Sequence, residues 1–348
     1  MQARLRAGGG AAPRQALLLV LAVGSMTFGC DAILGLADPV DGGGYEEASV
    51  DASSDASPDA VHAPDGASDD APSAPQIYAT AAAAIVSVAV ANGFVAWSTA
   101  SGSVYVCAAG PQCVTSVALA SGRSSPGQVA VDKKFVYWTE PAASGPLYCA
   151  TGGCGMSPSQ VPGTGNPVAL ALDPAVLVWA SSSGAISACD APGCKNPRVV
   201  ASPSVAASAI ATAGTQIVWA TGSSLSAVEA DGGAASVLTS AAQGLVGLAI
   251  GTTTAYWTGA AGLASCTIAG CSPGTLDPSV GAGPGAVAID STNVYWSGAS
   301  SILVCRRSAC VPATLAATSQ PVVTALAVGG SGVYWAEGAS LMHASLPP

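Results

Sequence analysis

Seven tryptophans, Trp97, Trp138, Trp179, Trp219, Trp257, Trp296 and Trp335, follow one another at 41, 41, 40, 38, 39 and 39 residues, and the chain has no others. Each occupies the same place in a short phrase that is plainest at Val129-Ala130-Val131-Asp132-Lys133-Lys134-Phe135-Val136-Tyr137-Trp138-Thr139-Glu140. A period of about 40 with one aromatic at a fixed phase marks a repeat architecture, and a four-stranded propeller blade is the repeat of that length that fits.

One repeat can be read through as a blade. Gly127 to Asp132 is a short apolar strand ending in an Asp turn, and Phe135 to Thr139 is an aromatic and β-branched second strand. Leu147-Tyr148-Cys149 forms a third strand, and a tight turn at residues 150–153 leads to Cys154 at the start of the return strand. Four strands of about five residues and their connections fill the repeat, leaving no room for a crossover helix, so the sheet is an antiparallel meander. After Trp335 only residues 341–346 remain for strands, enough for a third but not a fourth. Gln76-Ile77-Tyr78-Ala79-Thr80 has no other assignment and completes the last blade, closing the ring and removing its free edges. The expected fold is therefore all-β: a seven-bladed β-propeller of four-stranded antiparallel blades over residues 76–348, with the tryptophans filling the gaps between blades.

Composition removes two other classes. Apolar residues make up 50% of the chain and charged residues 9%. Beyond residue 30, however, the apolar runs are short and broken by Ser, Thr and Gly, far from the roughly 18 residues a spanning helix needs. The net charge of -10 is concentrated between Asp31 and Gln76, which carries eleven acidic residues and no Lys or Arg. The repeats hold seven basic and nine acidic residues and are nearly neutral. Nothing supplies the basic stripe that nucleic acid requires. Residues 30–75, rich in Asp, Ala, Ser and Pro, cannot bury enough surface to offset their ordering entropy, and a disordered spacer is expected there.

At the N-terminus, Arg4, Arg6 and Arg14 precede an apolar stretch from Ala16 to Val23 that continues to Phe28 and ends at Gly29-Cys30. This has the form of a secretory signal over residues 1–29. Thr27-Phe28-Gly29-Cys30 resembles a bacterial lipobox at Gly29 and Cys30, while Thr27 and Phe28 depart from its usual residues. That resemblance implies lipidation at Cys30 and a place in the cell envelope, at the periplasmic face or the cell surface.

Of eleven cysteines, ten form close pairs: Cys107/Cys113, Cys149/Cys154, Cys189/Cys194, Cys266/Cys271 and Cys305/Cys310, leaving Cys30 over. Paired cysteines behind an export signal point to disulfides in an oxidising compartment. Each pair lies 9 to 11 residues after its tryptophan, across the turn of the outer hairpin, where opposed strand residues come close enough to be bridged. In the fourth repeat this place is taken by Asp231-Gly232-Gly233, an Asp-Gly turn that closes a hairpin without a bridge. No metal is expected, because no histidine or second pair belongs to the same unit.

Val131-Asp132 with Val136-Tyr137-Trp138-Thr139, and Ile289-Asp290 with Val294-Tyr295-Trp296-Ser297, resemble the YWTD repeats of β-propeller domains. With the paired cysteines and the Cys-Asp-Ala-Ile-Leu-Gly-Leu run at residues 30–36, the chain resembles repeat lipoproteins of myxobacteria. YWTD domains usually have six blades and an Asp after the Thr; here Glu140 is the only acidic residue that follows a Trp-Thr pair, so the resemblance implies architecture and transfers no ligand site.

Propeller ligands commonly sit over the connections from the fourth strand to the next blade and from the second strand to the third. The candidate ligand face there comprises Arg123, Glu140, Asn166, Gln243, Gln320 and Glu337. A hydrolase or lyase needs a base held beside an electrophile or metal. The sequence offers no such motif, no cofactor signature and one histidine in the repeats, His343, expected at a surface or strand edge. Asp132, Asp173 and Asp290 are read as turn residues. The composite reading is a membrane-anchored, non-catalytic module that binds a protein or glycan. A lactonase-like hydrolase or polysaccharide lyase using Glu140 or Glu337 with Arg123 is the alternative, and a structural envelope protein is a third.

Overall fold

The computed structural model describes residues 74–163, 165–278, 285–320, 323 and 325–347. They form seven four-stranded antiparallel sheets, with no α-helix among the described residues. The inner strands of successive blades touch one another in order, and the inner strand of blade seven returns to that of blade one. The expected seven-bladed ring is the observed one.

Blade two shows the plan. Its inner strand Val129–Val131 pairs with Phe135–Trp138, which pairs with Leu147–Ala150. The outer strand is only Ser159–Gln160 and does not begin at Cys154 as the spacing suggested. Gly153, Gly155 and Met156 all have positive φ, which bends the chain away from the sheet for several residues before pairing resumes.

Inner strands such as Ile85–Ala91 read as near-continuous apolar runs, not alternating ones, because both faces of a blade are covered by neighbouring blades. Each tryptophan pairs across the ladder with an aliphatic residue of its inner strand, as Val88 with Trp97, Ile210 with Trp219 and Leu326 with Trp335. The apolar core is accordingly divided among the seams between blades. Trp138 packs with Val104 and Leu119 of blade one, and Trp257 with Val218 and Leu225 of blade four. Burying one indole removes about 200 Å² from water, on the order of 5 kcal/mol before ordering entropy is set against it.

The residue after the tryptophan adds a polar tie across the same seam. The hydroxyl of Ser98 donates to the Gly127 carbonyl at 2.6 Å, that of Ser297 to the Val323 carbonyl at 3.0 Å, and that of Thr258 to the Gly285 carbonyl. Gly285 has to be glycine, because a Cβ there would strike both Ser297 Oγ and the Val323 carbonyl oxygen.

The ring is closed by Gln76–Thr80, which pairs with Ser340–Ala344 as the outer strand of blade seven. Tyr78 is buried in this closure, edge-on to Tyr334 at 5.0 Å, and donates its hydroxyl to the Ala108 carbonyl of blade one at 2.6 Å. One short strand thus joins blade seven to both sides of the junction.

Candidate functional site

All six residues of the candidate ligand face lie on one side of the ring, in the connections that enter an inner strand or leave a second strand. Glu140 and Glu337 share a phase, each two residues after its tryptophan. Glu140 is buried and receives Arg123 Nε and Nη2, both at 2.9 Å, and the Ser124 N–H at 3.2 Å. Glu337 receives the Ser319 N–H at 3.0 Å, the Ser319 hydroxyl, and the Trp335 indole N–H at 2.8 Å. Both carboxylates therefore fasten the connection that leads into their own blade. In blades one and three a hydroxyl stands at this phase and caps the local turn instead: Thr99 Oγ1 accepts the Ser103 N–H at 3.2 Å, and Ser181 Oγ the Ala185 N–H at 3.1 Å.

The remaining candidates do not converge. Asn166, Gln243 and Gln320 are exposed on three different connections. Asn166 has φ 42°, and its backbone links Ala143 and Ser182. The Gln243 carbonyl accepts from Ala260, and the Gln320 carbonyl from Thr318 Oγ1. Of the charged residues, Arg123 and Glu140 meet, whereas Glu337 bonds to Ser319 and Trp335.

The opposite side is built from turns. Asp132 Oδ1 accepts the N–H groups of Lys134 and Phe135, and Asp290 Oδ1 those of Thr292 and Asn293. Asp173 accepts from Ala175 in its own turn and from Gly214 in the next blade. The second oxygens of Asp132 and Asp290 accept the hydroxyls of Tyr137 and Tyr295, at 3.0 and 2.7 Å. The Tyr137 hydroxyl also accepts the Gly193 N–H of blade three at 2.7 Å, and that of Tyr334 donates to the Gly110 carbonyl of blade one at 2.8 Å. The residue before the tryptophan thus grips the neighbouring outer hairpin. Burial raises the phenol pKa of Tyr78, Tyr137, Tyr295 and Tyr334, and the nearby Asp132 and Asp290 carboxylates add to the rise at Tyr137 and Tyr295.

The gripped hairpins are those with disulfides. All five expected pairs are bonded, Cys107–Cys113, Cys149–Cys154, Cys189–Cys194, Cys266–Cys271 and Cys305–Cys310, with Cα separations of 4.9 to 5.9 Å. Their placement corrects the sequence expectation that each joins two opposed strand residues. The first cysteine of every pair is buried in a third strand, but the second is only half-buried. Of the second cysteines, Cys310 alone lies in a strand, Ala309–Ala317, while Cys113, Cys154, Cys194 and Cys271 sit in the turn before pairing resumes.

The reason is the room the turn needs. Even Cys310 has no partner of its own across the ladder, because the register slips between Val304 and Arg306, opposite Cys305. Cys194 has φ 50° and follows Gly193 at φ 82°, so the chain is still reversing direction where the sulfur is attached. The Cys113 N–H is turned away from its own blade and donates to the Tyr78 carbonyl of the closing strand at 2.9 Å. These bridges therefore anchor a turn to the strand that precedes it.

Between blades three and four, where position 178 is Val and no tyrosine is present, Arg198 substitutes: its Nε donates to the Ala230 carbonyl at 3.0 Å and its Nη1 to Asp190 at 3.0 Å. Hydrogen bonds from Asn196 and then Arg198 hold the Asp190 carboxyl below the usual carboxylate range.

His343 corrects a second sequence expectation. It is buried, with Nε2 3.0 Å from the Ser331 carbonyl and its ring 4.8 Å from that of Tyr334. The closing strand covers it, since His343 pairs with Gln76. Among the described residues no cluster of three or more His, Cys, Asp or Glu could hold a metal ion.

Two features escaped sequence reasoning. The indole nitrogens of Trp97, Trp138, Trp179, Trp219 and Trp296 are buried without a hydrogen-bond partner. Two open clefts flank blade four, one of about 390 Å³ beside Trp219 and Thr221 and one of about 690 Å³ beside Gln216 and Glu229. Blade four, like blade seven, has no disulfide, and the Asp-Gly turn in place of the cysteine pair was the available signal that its surroundings differ.

A scan against protein-family models gives no match, and neither does a search of curated proteins. Among solved structures, a chain of the mitotic checkpoint complex is similar at 14% identity and TM-score 0.63, covering 85% of this chain and 98% of that one. U3-55K is similar at 12% identity and TM-score 0.61, covering 78% and 98%, and the computationally designed Ika8 protein at 12% and 0.52, covering 78% and 99%. These likenesses are of fold.

Proposed function

We propose that the chain is an exported, non-catalytic β-propeller, tethered to the cell envelope through a lipid on Cys30 and carried on the spacer of residues 30–75, that binds a protein or glycan. Cys30 and residues 31–73 of the spacer lie outside the described residues, so this part rests on the sequence pattern. The observation that carries the reading is the use made of the acidic groups on the candidate face. Glu140 is engaged by Arg123 and Ser124, and Glu337 by Ser319 and Trp335, so both serve the connections of their blades. The enzyme alternative needs Glu337 or Glu140 free to act beside Arg123. Five disulfides support an oxidising compartment, and among the described residues no helix is long and apolar enough to cross a membrane.

Two measurements test the reading. Radiolabelled palmitate should enter the expressed chain and not the Cys30→Ser variant; equal labelling would remove the anchor. The purified full chain, immobilised over arrays of envelope glycans and surface proteins, should retain a partner without converting it. Turnover of a retained lactone or polysaccharide that Glu140→Gln abolishes would replace the binding module with an enzyme.

A further inference from the structure

Blade seven and blade four can be superposed residue by residue through their ladders, since Leu326 pairs with Trp335 as Ile210 pairs with Trp219. In blade seven the indole N–H is met by a carboxylate two residues further on, Glu337, which also takes the Ser319 N–H and hydroxyl. In blade four the same phase holds Thr221, half-buried, and the Trp219 indole nitrogen is buried without a partner. The cleft of about 390 Å³ opens at this place, lined by Trp219, Thr221, Ser202, Ser226, Val200 and Val237. Glu337 therefore shows, within the same chain, what kind of atom this pocket accommodates: a hydrogen-bond acceptor entering from the side of the residue two beyond the tryptophan.

The surroundings decide which acceptor. Pro203 stands where blade seven has Ser319, which removes the backbone N–H that steadies the Glu337 carboxylate, and no Lys or Arg lines the cleft. A ligand carboxylate would leave water for too few donors, whereas a neutral carbonyl needs only one or two. Val200 and Val237 offer apolar contact for a methyl group, and the hydroxyls of Ser202, Thr221 and Ser226 can receive an amide N–H or bond sugar hydroxyls. The volume falls at the small end of ligand sites, enough for one sugar ring and its substituent. We infer that the cleft between blades three and four is a subsite for an acetamido group carried on a glycan. The carbonyl accepts from the Trp219 indole as the Thr221 side chain rotates aside, and the methyl packs on the two valines. The subsite rests on the binding reading above and narrows it to N-acetylated glycans.

The test reads one nitrogen. The full chain is labelled with ¹⁵N at its seven tryptophan indoles and titrated with the trimer of N-acetylglucosamine, the trimer of glucosamine, and glutarate. The acetylated trimer should move a single indole resonance, the one missing from Trp219→Phe, and the other two probes should not. Thr221→Gln places in blade four, at the phase of Glu337, a neutral amide carbonyl of the kind the subsite takes from its ligand. Its Trp219 resonance should be displaced without ligand, and its response to the acetylated trimer weakened several-fold, about the equivalent of one hydrogen bond. If Trp219→Phe does not fold, the titration of the unaltered chain and of Thr221→Gln still decides. A titration that moves no indole, moves several equally, or responds to glutarate above the acetylated trimer overturns the inference, as does an undiminished response in Thr221→Gln. A silent Trp219 in a chain that still retains a glycan or protein on the arrays removes this subsite alone.

Discussion

Trp335 donates its indole N–H to Glu337, two residues along the same strand, at 2.8 Å. Trp138 has a glutamate at the same phase and yet no partner, because Glu140 is turned toward Arg123. One sequence position therefore does two different jobs, and a single charged residue on the preceding connection decides which. A buried N–H without a partner is costly, so the difference has measurable consequences.

Glu337→Ala should lower stability by about 1–3 kcal/mol, since it leaves a buried indole N–H unpaired. Glu337→Gln keeps an acceptor and should lose less. Urea unfolding followed by tryptophan fluorescence distinguishes the two, and equal stability of Glu337→Ala and the unaltered chain would show that the bond contributes nothing.

Arg123 and Glu140 should be coupled. The pair is partly buried and joined through two guanidinium nitrogens, so a double-mutant cycle on Arg123→Ala and Glu140→Gln should return about 1 kcal/mol or more. A cycle that closes to zero would reclassify it as a surface pair of negligible weight.

The tie across the seam between blades six and seven is expected to matter most where it is driest. Ser297→Ala leaves the buried Val323 carbonyl with only the long Ala286 N–H bond, at 3.4 Å, and should cost about 0.5–1.5 kcal/mol. Hydrogen exchange should then rise in Asn293–Ser297 and in Leu326–Gly329 ahead of the other blades. A uniform rise around the ring would place the weakness elsewhere.

High pH should loosen the ring. Tyr78, Tyr137, Tyr295 and Tyr334 hold their protons more tightly in the folded state than in the unfolded chain, whose tyrosines titrate near pH 10. Their contribution is fully present below pH 10 and is lost as pH rises through the higher folded-state values. Phenolate absorbance from these four side chains should appear together with loss of the β-sheet signal; titration of all of them in an intact fold would contradict the burial.

Reducing agent should affect blades unequally. Each disulfide closes a ring of about six residues, for which loop-closure entropy gives about 2 kcal/mol. Cys266→Ala with Cys271→Ala should therefore lower stability modestly and leave the ring assembled. Exchange at the Asp231-Gly232 hairpin should be insensitive to reductant, and sensitivity there would mean that the bridges act between blades.

The spacing of the tryptophans was enough to place every blade, and the leftover strand at Gln76–Thr80 was enough to close the ring, because both follow from counting along the chain. The partners of the cysteines were legible for the same reason. The seats of Cys113, Cys194 and Cys310 were not, because spacing does not say how many residues a turn consumes or where the register slips. Contact between units about 40 residues apart was equally out of reach. The Tyr137 hydroxyl on Gly193 and the Ser98 hydroxyl on Gly127 belong to the angle at which neighbouring sheets meet. His343 was misplaced because its burial is imposed by a strand from the far end of the sequence. Asn166, Gln243 and Gln320 were grouped by the face they occupy, and a face is too coarse a unit to bring side chains together.

The closing strand Gln76–Thr80 has one partner in its sheet, Ser340–Ala344, and these are the first and the last of the described strands along the chain. A chain that stops before blade seven leaves Gln76–Thr80 unpaired and Tyr78 without the Tyr334 ring against which it packs. The ring is thereby a test of its own completeness. A product truncated before blade seven would leave open the apolar seam that Tyr78, Val88, Trp97, Tyr334 and Trp335 bury together in the closed ring.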